Sequence, residues 1–206
     1  MSPRTLDHVA LWVTERDAIA DACVRELGMH VIERTDAFTL IGFDARRGKL
    51  TLFAADGPRE QGALKHVAFR VSGGGDDLEL PDGLVVRLVD GDGGDLDHVA
   101  LWSSDPAATA REYARFGFAP AGPGRVEVGG AYVELHDGDP GDPQRPLLNH
   151  LAVLVESAEE HRAEAEDSGI EVADFVDAAN TIAVFVWGPE RVKIEYVEHK
   201  PTFALR

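Results

Sequence analysis

Seven residues occur twice without change, near the start of each half of the chain, as Leu6 to Trp12 and as Leu96 to Trp102. An identical run of that length indicates an internal duplication, and it places one histidine at the same point of each copy. Two weaker copies follow at 65–69 and 149–153, and each carries a histidine as its second residue. The chain therefore contains four related segments, each with one histidine near its start.

Each histidine segment is predicted to be a strand, because it is a short run rich in Val, Leu, Ala and Phe. In the first unit a helix is expected over 15–27, ended by Gly28 and followed by three short strands. The third and fourth units repeat this order, with helices opened by Asp105-Pro106 and by the capping box Ser157-x-x-Glu160. The pattern predicts an α+β fold of βαβββ units.

The second unit is abbreviated. After its strand at 65–72, the run Gly73-Gly74-Gly75-Asp76-Asp77 cannot support a helix, and only 84–89 is predicted as a final strand. The Gly- and Asp-rich stretch 90–95 is the natural boundary between two pairs of units. We therefore expect two domains, 1–92 and 95–206, each built from a pair of units.

Charge and cysteine content limit the class of protein. A net charge of −17 argues against partners that bind through Lys and Arg, namely nucleic acid and anionic membranes. No apolar run is long enough to cross a bilayer, and Met1-Ser2-Pro3-Arg4 leaves no room for a signal peptide. The single cysteine, Cys23, fits a reducing compartment. We expect a cytoplasmic protein, monomeric or homodimeric, that acts on a small molecule.

Two glutamates lie at matching positions in the last strands of the third and fourth units, Glu134 and Glu195. A carboxylate flanked by apolar residues is costly to bury alone. Two of them beside the equivalent histidines His98 and His150 indicate a shared divalent metal ion, and imidazole with carboxylate suits Fe, Mn, Ni, Co or Zn. The predicted metal ligands are therefore His98, His150, Glu195 and Glu134.

The first half differs at these positions. Its last strands carry Thr51 and Arg87 where the glutamates would be, and Arg87 would repel a cation. His8 and His66 are accordingly predicted to be hydrogen-bonded scaffold residues, and the domain 1–92 is expected to hold no metal.

The repeated units, with His at the start of the first strand and Glu on the last, resemble the vicinal-oxygen-chelate superfamily. That group includes glyoxalase-type lyases, epimerases, bleomycin-resistance proteins and extradiol dioxygenases. The segment 185–195 is similar to the dioxygenase signature, with Pro189 and Glu195 correctly spaced. The resemblance implies that each pair of units forms an open barrel-like domain, a cup with the metal at its centre. It also implies His98, His150 and Glu195 as a 2-His-1-carboxylate triad.

The chain departs from that signature at its acid–base residues. Phe185 occupies the place of a catalytic tyrosine, and no histidine stands near Val176 or Ala131, where the family carries one. Tyr132, Glu134 and His136 share one face of a strand, where His136 is a candidate replacement base; the alternative is that His136 is a strand-end residue facing solvent. The predicted catalytic residues are His136 and Tyr132, and the predicted substrate-contacting residues are Trp102, Phe185 and Trp187.

Three functions remain open. The first is an extradiol-type dioxygenase, using Fe or Mn on a small substrate with vicinal oxygens. The second is a glyoxalase-type lyase, isomerase or epimerase using Zn, Ni or Co. Glu134 as a fourth ligand favours the lyase, because a dioxygenase needs one more open position for O2. The third is a metal-free binding or resistance protein.

Overall fold

The computed structural model describes residues 5–206; Met1 to Arg4, on which the expectation about a signal peptide rests, lie outside this range. The first unit comprises β1 Thr5–Val13, α1 Arg16–Leu27, β2 His30–Arg34, β3 Phe38–Asp44 and β4 Arg47–Ala54. The second comprises β5 Leu64–Val71, β6 Leu78–Glu79 and β7 Val85–Asp90. The third comprises β8 Asp95–Ser103, α2 Pro106–Tyr113, β9 Ala119–Gly122, β10 Arg125–Val128 and β11 Ala131–Asp137. The fourth comprises β12 Leu148–Leu154, α3 Ala158–Asp167, β13 Val172–Asp177, β14 Thr181–Trp187 and β15 Lys193–His199.

The local signals are confirmed. The helix α1 ends at Gly28, whose φ of 73° is the left-handed conformation that glycine adopts at low cost. Asp105 caps α2 by accepting a hydrogen bond from the Ala108 amide at 3.0 Å, and Ser157 caps α3 by accepting one from the Glu160 amide at 3.2 Å. The segment between β5 and β7, all of it within the described residues, contains no α-helix, as its glycines predicted.

Across residues 5–206 the strands form two open sheets, which confirms the predicted α+β class. The large sheet has the order β13-β14-β15-β12-β1-β4-β3-β2, and the small sheet has the order β6-β7-β5-β8-β11-β10-β9. Within each unit the last strand lies parallel to the first. At the centre of each sheet the first strands of two units pair antiparallel, β1 with β12 and β5 with β8.

The units are not paired as the sequence suggested. The large sheet combines the first unit with the fourth, and the small sheet combines the second with the third. The predicted division into 1–92 and 95–206 therefore does not describe the sheets. In each unit, the last strand pairs with one edge of the first strand. The other edge is free to pair with the first strand of another unit, and the local sequence does not specify which unit that is.

Consecutive units are joined through carboxylates that accept hydrogen bonds near the start of a helix. Asp82, before β7, accepts hydrogen bonds from the amides of Thr14 and Glu15 at 2.8 and 3.0 Å, at the start of α1. Glu190, before β15, accepts hydrogen bonds from the hydroxyls of Ser103 and Thr109 at 2.8 and 3.1 Å, at the start of α2. In each half of the chain, these hydrogen bonds therefore connect a unit of the large sheet to a unit of the small sheet.

The repeated strands supply the core of both sheets. Val9, Leu11, Val99 and Leu101 alternate with the cup-facing residues and are fully buried in one continuous apolar cluster. None of the helices in residues 5–206 has the length and apolar character needed to cross a membrane.

Candidate metal centre

A β-bulge precedes each of the four histidines of the repeat. Along β1, Leu6 pairs with Val153 and His8 with Ala152, so that Asp7 is an extra residue. The same shift makes extra residues of Asn149, Lys65 and Asp97. In a regular strand neighbouring side chains point to opposite faces, but a bulge turns one of them. The residue before each histidine is therefore able to contact its ring.

These contacts fix the orientation of two rings in the large sheet. Asp7 Oδ1 lies 2.7 Å from Nδ1 of His8, and Asn149 Oδ1 lies 3.2 Å from Nδ1 of His150. Carboxylate and amide oxygens only accept, so each ring donates its Nδ1–H and turns Nε2 towards the sheet centre. This is the arrangement by which metal-binding histidines are held in proteins.

Three ligand atoms converge where these rings meet. Nε2 of His8 and Nε2 of His150 are 3.2 Å apart, and Oε2 of Glu195 lies 3.2 Å from the first and 2.9 Å from the second. Two ligands about 2.1 Å from an ion and at right angles to it are separated by about 3.0 Å. The His8 cluster, defined as His8, His150 and Glu195, thus has the spacing of one face of an octahedral site.

The electrostatics of the His8 cluster fit a cation. Glu195 Oε2 is buried and receives no well-directed hydrogen bond from any residue in 5–206. Burial raises the pKa of Glu195, but His150 and His8 outweigh it and bring the pKa down to about 2. Burial lowers the pKa of His8, but Glu195 and Asp7 outweigh it and bring the pKa up to about 9. Three acceptor atoms this close need a proton or a metal between them, and the residues present suit a divalent ion.

We call the position on the other unit's last strand that is equivalent to Glu195 the fourth corner of the site, and it carries no carboxylate. Ala10 pairs with Thr51 as Ala152 pairs with Glu195, so Thr51 occupies the position in the first unit that Glu195 occupies in the fourth. The sequence alignment of these two positions is confirmed by this register. A divalent ion in the His8 cluster would have three protein ligands and, if octahedral, three open positions.

The four predicted ligands do not meet. His150 and Glu195 lie in the large sheet beside His8, whereas His98 and Glu134 lie in the small sheet beside His66. The structure therefore brings His8, predicted only as a scaffold residue, together with His150 and Glu195. The missing glutamate of the first unit hid this grouping from the sequence, because the carboxylate comes from the fourth unit. The signal available in the sequence was the pair Asp7-His8, which supplies a candidate ligand and an acceptor for its ring.

The His66 cluster, defined as His66, His98 and Glu134, has a different arrangement. Nε2 of His66 lies 2.9 Å from Nε2 of His98, and Glu134 Oε2 lies 3.6 Å from the latter. Nδ1 of His98 donates to Asp97 at 2.6 Å, so its Nε2 accepts and His66 must be the donor. The two rings are therefore joined by a hydrogen bond.

The surroundings of His66 also disfavour a cation. Burial first, and then the charge of Arg87, lower the pKa of His66 to about 4. Arg87 lies at the fourth corner of this cluster, because Ala68 pairs with Arg87 just as Ala10 pairs with Thr51 in the large sheet. The neighbour of His66 in the chain is Lys65, whose Nζ lies 4.5 Å over the ring of Trp102 and offers no acceptor.

The remaining predicted catalytic residues belong to the small sheet. Nε2 of His136 lies 3.7 Å from Glu134 Oε2, and the Tyr132 ring lies 3.6 Å beneath the guanidinium of Arg125. Both are therefore placed away from the His8 cluster, as is Trp102, whose ring lies 6.2 Å from that of His136.

A cavity of about 390 Å³ opens over the His8 cluster. Phe185 lines it, as predicted for a substrate wall, with its ring 5.1 Å from the ring of His150; Phe53 lies on the other side at 6.4 Å. Trp187 is not among the lining residues within 5–206, and it lies instead against Arg191 and Lys193.

Asp7 links the His8 cluster to the cavity wall. It is almost fully buried, and besides His8 it contacts Nζ of Lys49 at 2.8 Å and Nε2 of His199 at 3.0 Å. Burial works to raise the pKa of Asp7, but Lys49 and the two histidines lower it well below its usual range. Asp7 is therefore an ionised carboxylate that accepts the Nδ1–H of His8 and orients its ring. Neither Lys49 nor His199 was identified from the sequence, because neither stands at one of the repeated histidine or glutamate positions.

Comparison with known proteins identifies the fold. No protein-family model and no curated protein sequence matches the chain. Among solved structures, it is similar to a protein named as a putative dioxygenase from Bacillus subtilis, with a TM-score of 0.76, 14% identity, and coverage of 98% of this chain and 87% of that one. It is also similar to glyoxalase I from Zea mays, with a TM-score of 0.70, 14% identity, and coverage of 94% and 92%. The cppA protein of Streptococcus pneumoniae follows at 0.64, with 12% identity and coverage of 95% and 98%. The chain has the fold of the vicinal-oxygen-chelate superfamily.

Proposed function

We propose that this protein is a metal-dependent dioxygenase of the extradiol type, acting on a small substrate with two neighbouring oxygen atoms. The observation that carries the proposal is the composition of the candidate centre, which has two histidines, one carboxylate, and Thr51 at the fourth corner. Three ligands leave room for both substrate oxygens and for O2. Fe(II) or Mn(II), when bound, supplies the Lewis acidity and redox capacity that such a reaction requires.

The residues of the chain have separate parts in this proposal. His8, His150 and Glu195 would hold the ion, with Asp7 and Asn149 orienting the two rings. Phe53 and Phe185 flank His150 and would keep water away from an aromatic substrate. Asp7 shares its charge with Lys49 and His199, so the cavity wall and the metal ligand His8 are connected by one hydrogen-bonded carboxylate.

A lyase or isomerase is the second candidate. It is supported by Phe185, which stands where the dioxygenase signature has a catalytic tyrosine. It is weakened by the placement of Glu134 in the small sheet, because the four-ligand His/Glu/His/Glu set is then not assembled. A metal-free binding protein remains the third candidate.

The test is metal content and O2 consumption of the purified protein, with matched variants of the two clusters. We expect about one equivalent of bound metal in the wild type and in His66→Ala, and almost none in His8→Ala. After anaerobic loading with Fe(II), we expect O2 uptake with catechol in the first two proteins alone. Metal retained in His8→Ala would refute the site. Metal binding without O2 uptake, but with isomerisation of an α-hydroxycarbonyl, would favour the lyase.

A further inference from the structure

Much of the wall of the cavity above the His8 cluster is apolar. The side chains that form these walls are Phe38, Leu40, Phe53, Phe185, Phe203 and Leu205. They come from the β3–β4 hairpin, from β14 and from the segment after β15, so both units of the large sheet contribute. A flat ring held by its two oxygens at the His8 cluster would contact hydrocarbon on its remaining sides.

The wall contributed by the segment after β15 is fixed in place. The ring of Phe203 stacks on His199 at 4.3 Å with 19° between their planes, and the guanidinium of Arg46 lies 5.0 Å over the same ring. The amide of Ala204 donates to Oδ1 of Asn180 at 3.2 Å. Arg46 is not among the described residues that line the cavity, so its guanidinium does not border the interior.

Among the described residues that line the cavity, no lysine or arginine is left unpaired to bind an anionic substituent, and Nε2 of His199 already lies 3.0 Å from Asp7. Lys49 is the one amine or guanidinium among the lining residues within 5–206, and it is nearly fully buried. Its Nζ lies 2.8 Å from Asp7 Oδ1 and 2.8 Å from the carbonyl oxygen of Ala45, so its charge is already neutralised. Glu33 adds a carboxylate to the lining. A carboxylate on the substrate would lose its hydration there and gain no opposite charge.

We infer that the substrate is an uncharged aromatic ortho-diol whose ring is bare or carries an apolar substituent, and that ring-carboxylated diols are excluded. This inference rests on the proposed function, because it assumes that the two oxygens bind at the His8 cluster. It goes further by naming which diols the cavity accepts.

The test measures binding to protein loaded with one equivalent of Zn²⁺, which does not react with O2. Calorimetry compares 4-methylcatechol with 3,4-dihydroxybenzoate, two diols of similar size that differ in charge. We expect at least about tenfold tighter binding of 4-methylcatechol, the scale of one uncompensated charge contact. Equal or tighter binding of the carboxylated diol would overturn the inference and leave the proposed function standing. Binding of neither diol would overturn both.

A matched pair of variants checks that the missing cation is the cause. Phe203→Lys places an ammonium group on the wall, whereas Phe203→Met removes the ring without adding charge. We expect Phe203→Lys to bind 3,4-dihydroxybenzoate about tenfold more tightly than the wild type, with a gain that shrinks as salt is added. Phe203→Met should show no such gain. A similar gain in both variants would mean that space, not charge, excludes the carboxylate, and would contradict the argument.

Discussion

The His8 and His66 clusters are built from the same repeat and differ in what surrounds their rings. In the His8 cluster both histidines follow an acceptor, Asp7 or Asn149, and both turn Nε2 towards Glu195. In the His66 cluster one histidine follows Lys65, and the two rings hydrogen-bond to each other. The comparison shows that the two clusters differ in whether the residue before each histidine holds the ring nitrogen opposite Nε2, which is the support that metal-binding histidines commonly have.

The fourth corner strengthens this difference. It is Thr51, a neutral side chain, beside the His8 cluster, and Arg87, a cation paired with Asp77 at 2.8 Å, beside the His66 cluster. A cation at the corner disfavours a second positive ion through direct repulsion. The two sheets therefore share a scaffold and differ in electrostatics.

The largest effect is expected from the two equivalent glutamates. Glu195→Gln removes the one carboxylate of the His8 cluster, so we expect metal affinity to fall by more than about 100-fold, beyond the effect of changing a residue that only supports a ligand. Glu134→Gln, its counterpart in the small sheet, should leave metal affinity unchanged. Chelator competition measures both. An equal loss in the two variants would mean that the clusters are not independent.

The second-largest effect is expected from replacing the aspartates that precede His8 and His98, which should differ in their effect on stability. Asp7→Asn leaves the buried Lys49 without a counter-ion, so we expect a loss of about 3–5 kcal/mol in the free energy of unfolding. The substitution also weakens the hydrogen bond that orients the His8 ring, so we expect about 10–100-fold lower metal affinity. Asp97→Asn should cost about 1 kcal/mol, since its partner Arg70 is more exposed.

Urea denaturation with and without metal separates these two effects. Asp97→Asn is the control for the loss of a carboxylate beside a repeat histidine. Equal destabilisation by both substitutions would contradict the assigned difference in burial.

The smallest effect is expected from converting the His66 cluster into a metal site. Lys65→Asp supplies an acceptor for His66, and Arg87→Glu replaces the cation at the fourth corner with a carboxylate. We expect the double variant to bind a second metal equivalent, at least about tenfold more weakly than the first, because the abbreviated second unit leaves this sheet more open. Native mass spectrometry counts the ions. Arg87→Glu alone should bind one, and a second ion in that single variant would show that the ring orientation does not matter.

Much of the fold was predictable because its signals are local. Turn and capping chemistry within a few residues predicts where α1 ends, at Gly28, and where α2 and α3 begin, after Asp105 and Ser157. It also predicts the missing helix after β5. The equivalence of Glu134 with Glu195 was also correct, since it depends only on the repeat.

The candidate site was predicted in part. His150, Glu195 and Phe185 were identified because motif and repeat positions are visible along the chain. His8 was not predicted as a member of the candidate centre, and Asp7 was not predicted to contact its ring. Regular alternation would place Asp7 on the opposite face of β1, and the bulge that turns it arises from pairing with β12.

The sequence by itself determined the four units, their internal strand order and the histidine that each one presents. The tertiary structure alone decided which units share a sheet, and so which histidines meet a carboxylate. The physical reason is that β1 and β8 contain the same seven residues, so their free edges offer equivalent partners to β5 and β12. Only contacts between distant segments, such as those of Asp82 and Glu190 with the helix starts, distinguish one pairing from the other.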